Sequence, residues 1–431
     1  MDRNASFEAN GHVKRLVASL LCLASCKGCD ETASPRSDAS TPAPVTSASS
    51  SLRVIEAGIA DAEAPGDAAA FTPDLGDAGT SACRLGYGPA EQPFRGPASI
   101  LVMPNEIRLV TNDSGKPRLY PVPIPTGTQT VTPPRPLSFV GMRWPACEVA
   151  GSFVYCQGPG GMIYRSNLHG GGEAKQIVKS RPGTRIAAAS VGADHAVVAY
   201  LDLRHTTEGD MLQAFAVLDE GDPVKISDDG AGATTARFLP RGETPVALTL
   251  DSRTAMVPVH ARPVGRKPDG TIAVSPDTVV FVGGAPERGI DFTAVNAGAK
   301  GFALVPLPRD SLDFGMASLP VEDPPKEDVP ATWSSYPNGV DPAPITAVPT
   351  RDGKGAWVAR VRPRAKDPGA WRVIELGRLD PSGAFSSLGE IARGKGVTDM
   401  SIAEDASGGV WILYGDTSVT WLERRVCPPQ L

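Results

Sequence analysis

The sequence predicts an all-β fold built from a repeated unit, and three observations support this. Gly and Pro contribute 46 and 42 of the 431 residues, so turns are frequent and long helices are few. After Cys83 no helical periodicity persists, and short alternating or apolar runs are separated by turn residues. Seven such runs recur at intervals of 44 to 56 residues, a spacing typical of propeller blades. We therefore expect a β-propeller of about seven blades over residues 83–431.

The seven recurring runs define the expected blades. They begin at Ile107, Phe153, Val197, Val246, Phe302, Trp357 and Trp411. In several units a second alternating strand follows, and the turns between strands contain Asp and Gly, which suit tight hairpins. The segment from Asp405 to Tyr414, an acidic and glycine turn before a Trp-led strand, resembles a generic propeller blade. Two packed β-sandwiches are the main alternative, and six or eight blades are the alternatives in number.

The N-terminal region has the parts of an export signal. Lys14 and Arg15 precede an apolar run over residues 16–24, and small residues follow it. As a helix this run spans about 13 Å, far less than the roughly 30 Å hydrocarbon core of a bilayer. The run is therefore too short to anchor the chain by itself.

The run ends in Leu23-Ala24-Ser25-Cys26, and this tetrad resembles the bacterial lipobox. The resemblance implies cleavage of a signal peptide, residues 1–25, and diacylglyceryl modification of the Cys26 sulfur. The partner implied is a membrane, bound through lipid on Cys26. Lys27 follows, which under enteric-type sorting implies the outer membrane of the cell envelope. An ordinary secretory signal is the alternative interpretation.

Residues 26–82 are expected to form a disordered linker. They are dominated by Ala, Ser, Thr, Pro, Asp and Gly, and such a composition buries too little apolar area to offset the entropy of ordering. The domain organisation expected is thus a lipoprotein signal peptide (1–25), a linker (26–82) and a propeller-like domain (83–431).

Four cysteines of the folded part are expected to form disulfides, since the chain is predicted to be exported. Cys83 opens the repeats and Cys427 closes them, so a bond between them would fasten the first and last blades of a ring. Cys147 and Cys156 are placed to bridge a hairpin around residues 151–152. Cys29 is then left over. A redox or metal pair formed by Cys26 and Cys29 is a weaker alternative, because acylated Cys26 could not take part.

Motif searches found no established catalytic pattern. The sequence contains no H-E-x-x-H, G-x-S-x-G, phosphate-binding loop or EF-hand calcium loop, so neither a metal nor a cofactor is expected. A repeated Asp-x-Arg places two opposite charges on one face of a strand. The candidate residues for a polar ligand at the channel mouth, or for structural ion pairs, are Asp202, Arg204, His205, Asp251, Arg253 and His260. The structural interpretation is preferred, because a recurring pair is expected wherever the repeat recurs.

These observations favour a non-catalytic binding or scaffold domain on a membrane-anchored lipoprotein, with an unknown protein or glycan as partner. A net charge of −6 and a pI near 5.5 argue against nucleic acid as a partner. Two alternatives stay open: a propeller enzyme of the hydrolase or lyase type, and an envelope-assembly or sensory lipoprotein. The sequence gives no catalytic residue for the first and nothing that separates the second from a scaffold.

Overall fold

In the computed structural model, the residues described all lie between positions 70 and 431. They are 82–94, 96–124, 145–168, 173–207, 209–228, 232–251, 256–284, 292–305, 315–319, 344–364, 367–394, 397, 399–415 and 419–428. The expected signal peptide and, apart from Ala82, the expected linker lie outside this part of the chain. No helix within it is long and apolar enough to cross a membrane.

The described residues form seven antiparallel sheets, here called blades 1 to 7. Blade 1 contains β2 (Ala98–Val102), β3 (Glu106–Asp113) and β4 (Lys116–Pro123). Blade 2 contains β5 (Glu148–Ala150), β6 (Phe153–Gln157), β7 (Met162–Asn167) and β8 (Lys175–Lys179), with a single 3₁₀ turn at Pro159–Gly161. Blade 3 contains β9 (Ala187–Val191), β10 (His195–Thr206), β11 (Gly209–Leu218) and β12 (Val224–Lys225). Blade 4 contains β13 (Ala233–Leu239), β14 (Val246–Asp251), β15 (Met256–Arg266), β16 (Ile272–Val274) and β17 (Thr278–Gly284).

The other three blades follow the same pattern. Blade 5 contains β18 (Thr293–Ala297), β19 (Lys300–Val305) and β20 (Gly315–Leu319). Blade 6 contains β21 (Ile345–Pro349), β22 (Ala356–Arg364), β23 (Asp367–Leu379) and β24 (Phe385–Gly394). Blade 7 contains β25 (Asp399–Glu404), β26 (Gly409–Gly415) and β27 (Thr420–Val426), and its fourth strand is β1 (Arg84–Glu91).

The seven blades close into a ring. The first strands β2, β5, β9, β13, β18, β21 and β25 contact one another in this order, and β25 contacts β2. Seven hydrophobic clusters fill the spaces between consecutive blades, one for each of the seven interfaces. The cluster between blades 7 and 1 shows that the last interface is packed like the others. The all-β prediction of a propeller with about seven blades is therefore confirmed.

The second strand of each blade carries the repeat seen in the sequence. All seven apolar runs lie in these strands, which are β3, β6, β10, β14, β19, β22 and β26. In β26, Ile412 and Tyr414 pack towards blade 6, while Trp411 and Leu413 pack towards blade 1. A strand buried on both faces needs apolar residues at consecutive positions rather than at alternate ones. This explains why these runs were the clearest signal.

The ring is closed by a disulfide and by the first strand of the domain, which pairs into the last blade. The first strand in sequence, β1, pairs with β27 and so completes the last blade. The predicted disulfide between Cys83 and Cys427 is present and links these two paired strands. It therefore fastens two strands within blade 7, not two separate blades. The second predicted disulfide, between Cys147 and Cys156, spans the hairpin of β5 and β6.

Candidate functional site

A central channel of about 830 Å³ runs between the first strands, and all seven blades contribute to its wall. Apolar side chains such as Ile100, Ile345 and Met400 form much of this wall. Small-molecule sites in proteins commonly have volumes of about 300 to 1,000 Å³ and apolar walls with a few placed polar groups. The channel therefore has the size and lining of a small-molecule site, and closure of the ring determines its shape.

Four charged residues line the channel in the part of the chain that the structure describes. They are Glu148 of blade 2, Arg185 just before β9 in blade 3, Arg237 of blade 4 and Asp399 of blade 7. Two are acidic and two are basic, so their formal charges cancel. The described residues of the lining thus lack the single-sign field that would attract a purely anionic or purely cationic ligand.

Two of these charges meet across the channel. Nη2 of Arg185 lies 3.7 Å from Oδ1 of Asp399. Blades 3 and 7 are not neighbours in the ring, so this ion pair spans the central space. The side chain of Arg185 is 61% exposed, whereas that of Asp399 is only 16% exposed. The carboxylate is therefore recessed in the wall, and the guanidinium reaches it from a more open position.

Arg237 is held by backbone oxygens. Its Nε donates to the carbonyl oxygen of Phe292 at 3.2 Å, and its Nη1 donates to the carbonyl oxygen of Ala236 at 2.8 Å. Phe292 directly precedes β18, so this arginine links the first strands of blades 4 and 5. These bonds fix the position of one positive charge in the channel wall.

The structure places the first set of predicted candidates away from the channel lining. On β10, Nη2 of Arg204 lies 2.9 Å from Oδ2 of Asp202, so the two-residue spacing does form an ion pair on one strand. His205 is exposed, and its Nδ1 lies 2.9 Å from Oδ1 of Asp210 on β11. These contacts lie in the hairpin of β10 and β11, beyond the part of β10 that pairs with β9. The equivalent pair, Asp251 and Arg253, is not comparable, because Arg253 and the side chain of Asp251 lie outside the described residues.

The last predicted candidate, His260, lies on β15 of blade 4 in a charged cluster and not in the channel lining. Its Nδ1 lies 2.5 Å from Oδ2 of Asp277 and 3.5 Å from Oδ2 of Asp228. The ligand atoms of these three residues lie within 4.8 Å of one another, which is compatible with a metal ion. However, the guanidinium of Arg262 contacts both carboxylates. Arg262 therefore already supplies the positive charge that a metal ion would bring.

Asp405, which is fully shielded from solvent, is the centre of a polar cluster in blade 7. Its Oδ2 accepts hydrogen bonds from Nε1 of Trp411 at 2.9 Å and from Nε of Arg424 at 2.6 Å. Its Oδ1 accepts from the backbone N–H groups of Ser407 and Gly409. Burial raises the pKa of the Asp405 carboxyl, but the hydrogen bonds from Arg424, Ser407 and Gly409 outweigh burial and lower this pKa to about 2. The carboxylate is thus committed to holding the blade together.

Two further groups of buried charges also have structural partners. In blade 6, Nε of Arg360 lies 2.6 Å from Oε2 of Glu375. In blade 7, Nε of Arg425 donates to Glu423 at 2.8 Å, and burial raises the pKa of the Glu423 carboxyl. Pairs of this kind satisfy each other inside the fold, and removing one member leaves an uncompensated buried charge. The charged residues of the channel differ from these groups in that they line a cavity.

The four channel residues were missed by the sequence reasoning. Glu148, Arg237 and Asp399 lie on first strands, and Arg185 lies two residues before one. The first strands were not identified, because they do not show the continuous apolar pattern of the second strands. One signal was available in the sequence. Each first strand immediately precedes a recognised second strand, so a charged residue at that position is expected to lie near the central axis of the propeller.

Comparisons with known proteins give a fold likeness and no family. No protein family and no curated protein matches the sequence. Among solved structures, a six-bladed fucose-binding lectin of Aleuria aurantia matches with a TM-score of 0.35 and 10% identity, covering 64% of this chain and 90% of the lectin. A variant of that lectin in complex with α-methyl-L-fucoside matches with a TM-score of 0.38 and 12% identity, covering 72% and 97%. At these TM-scores the likeness carries no argument about a ligand of this chain.

Proposed function

We propose that this chain is a lipid-anchored protein of the cell envelope whose propeller is a non-catalytic binding domain. The central channel carries this proposal, because it combines the volume of a small-molecule site with charged side chains from four blades. The strongest charge clusters elsewhere in the described residues are occupied by structural ion pairs. Binding at or over the channel is therefore the role that its volume and its mixed apolar and charged lining favour.

Two features of the chain support the envelope location. The structure contains the Cys83–Cys427 and Cys147–Cys156 disulfides, and structural disulfides are typical of proteins in oxidising compartments outside the cytoplasm. The tetrad ending in Cys26 resembles a lipobox, and the several acyl chains of such a modification anchor a protein stably. The outer membrane and a protein or glycan partner are part of the same proposal.

The anchor is tested by the intact mass of the protein extracted from membranes. We expect cleavage before Cys26, the added mass of acyl chains, and a gain of four hydrogens when the two disulfides are reduced. A Cys26→Ser variant should leave the membrane fraction, whereas a Cys29→Ser variant, three residues away, should stay in it. An unacylated chain, or membrane retention of Cys26→Ser, would refute the lipoprotein assignment.

The binding role is tested separately by crosslinking the protein in intact cells. We expect a reproducible set of crosslinked partners that is reduced by charge removal at the channel, as in Arg185→Gln. The exposed pair on β10 offers a matched control, since Arg204→Gln also removes a partly exposed arginine from an Arg–Asp pair. Equal crosslinking by wild type and Arg185→Gln would remove the channel from the binding surface. Catalytic turnover that depends on His260 or Asp277 would replace the binding role by an enzymatic one.

A further inference from the structure

We propose that the central channel binds a small neutral sugar, a ligand with several hydroxyl groups on a compact carbon frame. This inference rests on the proposed binding function and deepens it by naming a class of ligand and the wall that would hold it. The structural observation that carries it is a set of three uncharged hydroxyl residues in the channel wall, Thr293, Thr346 and Ser401.

The three hydroxyl residues occupy corresponding places in successive blades. Thr293 lies on β18, Thr346 on β21 and Ser401 on β25, and these first strands of blades 5, 6 and 7 contact one another in turn. In each strand a neighbouring residue packs towards the preceding blade, so the hydroxyl residue lies on the opposite side of the strand, towards the next blade. These neighbouring residues are Ala294, Ala347 and Met400.

The hydroxyl groups of these residues are available to a ligand. All three residues are half-buried, and none of their hydroxyls makes a hydrogen bond with the described part of the chain. By contrast, the hydroxyl of Ser99 on β2 donates to the carbonyl oxygen of Cys147 at 2.6 Å. A β-branched side chain in a strand has few χ1 rotamers, so the two threonine hydroxyls lose little freedom when a ligand binds.

First strands also present backbone groups to the channel. Among the described residues, β21 pairs only with β22, and β2 pairs only with β3. Consecutive residues of both strands, 345–349 and 98–100, line the channel, so the unpaired edge of each strand borders it. Such an edge presents N–H and C=O groups. The wall thus offers uncharged hydrogen-bond donors and acceptors from several blades.

The chemistry of these groups favours a neutral ligand that is rich in hydroxyls. A Ser or Thr hydroxyl both donates and accepts hydrogen bonds, and a ligand hydroxyl does the same, so the two pair in either direction. An anion can use only the donors of the wall, and a cation can use only its acceptors. The two acidic and two basic residues of the lining add no excess of either sign. A charged ligand would therefore lose hydration without gaining a matching field.

The arrangement of the hydroxyls favours a compact ligand over an extended peptide. They lie on three strands around one side of the channel, whereas an extended peptide pairs along the edge of a single strand. Ile345 and Met400, which also line the channel, directly precede Thr346 and Ser401 in the sequence. A sugar has hydroxyls at its rim and C–H groups on its faces, so it can contact both kinds of side chain. The channel volume of about 830 Å³ lies within the usual range of small-molecule sites.

The test measures binding to the full chain by calorimetry, in a detergent without a sugar headgroup that could compete for the site. The probes are glucose, galactose, mannose, N-acetylglucosamine and maltose, each at millimolar concentration. For the best binder, the corresponding amino sugar and uronic acid are compared, and N-acetylalanine amide is a neutral probe without hydroxyls. We expect at least one sugar to bind and both charged analogues and the amide to bind about tenfold or more weakly.

The variants assign this binding to the channel. Thr293→Val, Thr346→Val and Ser401→Ala each remove one hydroxyl, and because these hydroxyls bond to no described group of the chain, cooperative urea unfolding should be retained. Each variant should weaken the best binder about 2- to 10-fold, the loss that accompanies one neutral hydrogen bond, and the triple variant should weaken it further. Ser386→Ala is the matched control. It removes an exposed residue's hydroxyl on β24, the outer strand of blade 6, and should bind like wild type.

The outcomes separate this inference from the broader function. Failure of every sugar to bind, equal binding of a charged analogue, or unchanged binding by the triple variant would each overturn the sugar site. Tighter binding of the amide than of any sugar would overturn it in favour of a peptide-like ligand. If the sugar site fails but crosslinking still depends on Arg185, the channel binds another partner and the broader proposal stands. If neither binding nor crosslinking depends on the channel, both fail together.

Discussion

Replacing Asp405 by alanine is expected to destabilise the propeller by about 3 to 5 kcal/mol, the usual cost of removing one partner from a buried ion pair. Arg424 is only 8% exposed and would lose the carboxylate that accepts its Nε–H at 2.6 Å. The indole N–H of Trp411, which is fully buried, would lose its acceptor as well. Urea unfolding of the oxidised protein, followed by tryptophan fluorescence at neutral pH, measures this loss.

Asp380 provides a matched control in blade 6. Its Oδ1 accepts from the N–H and the hydroxyl of Ser382 and from the N–H of Ala384, the same turn bonds that Asp405 makes. Asp380 is exposed, however. The carboxylate of Asp405 differs in that it also accepts hydrogen bonds from the arginine and indole side chains of Arg424 and Trp411. Asp380→Ala should therefore destabilise the protein much less than Asp405→Ala. Equal losses would refute the view that the buried ion pair, rather than the turn, accounts for the effect.

The same carboxyl predicts a specific dependence of stability on pH. In the unfolded chain Asp405 titrates near 3.8, whereas in the folded chain its pKa is about 2, so the folded state favours the ionised form. The difference corresponds to stabilisation on the order of 2 kcal/mol that is present above pH 3.8 and lost as the pH falls through 2. Asp405→Asn should remove this contribution. An unchanged acid dependence of the unfolding free energy in that variant would contradict the assignment.

Three further changes test other parts of the fold. Cys427→Ala should lower the urea midpoint more than Cys147→Ala. The loop-entropy relation gives upper values of about 6 and about 3 kcal/mol for disulfides spanning 344 and 9 residues. Equal midpoints for the two variants would show that β1 closes the ring without the bond. Gly161→Ala should destabilise the protein far more than Gly160→Ala, although both glycines have positive φ. A Cβ at Gly161 would lie 2.0 Å from a backbone oxygen, whereas a Cβ at Gly160 would meet open space. Urea denaturation of both variants measures the difference. Burial raises the pKa of Tyr200 to about 12. Between pH 10 and 12 the phenol of the unfolded chain ionises first, so the contribution of Tyr200 to stability should be lost in this range. Tyr200→Phe should therefore flatten this alkaline loss of stability.

The sequence predicted the fold well because the second strands are buried on both faces. Runs such as the one at Trp411 contact two neighbouring blades and must be continuously apolar, which makes their spacing visible. The disulfide between Cys83 and Cys427 was predictable for a related reason, since a closed ring brings its two ends together. The sequence did not predict that β1 pairs with β27 and completes the last blade, because these two strands are far apart in the sequence.

The channel was not predictable from local patterns. Arg185 and Asp399 come from blades 3 and 7, and nothing in the residues around either one indicates that the other lies opposite. Their contact depends on the number of blades, since adding or removing one would change which first strands face each other. The Asp202–Arg204 pair was predictable because its two residues share one face of a single strand.

The way in which the ring closes separates the start of β1 from the strands that line the channel. β1 pairs with β27 at the outer edge of blade 7, and Cys83, at its start, is bonded to Cys427 there. The start of β1 therefore lies at the rim of the propeller and not at the first strands that line the channel.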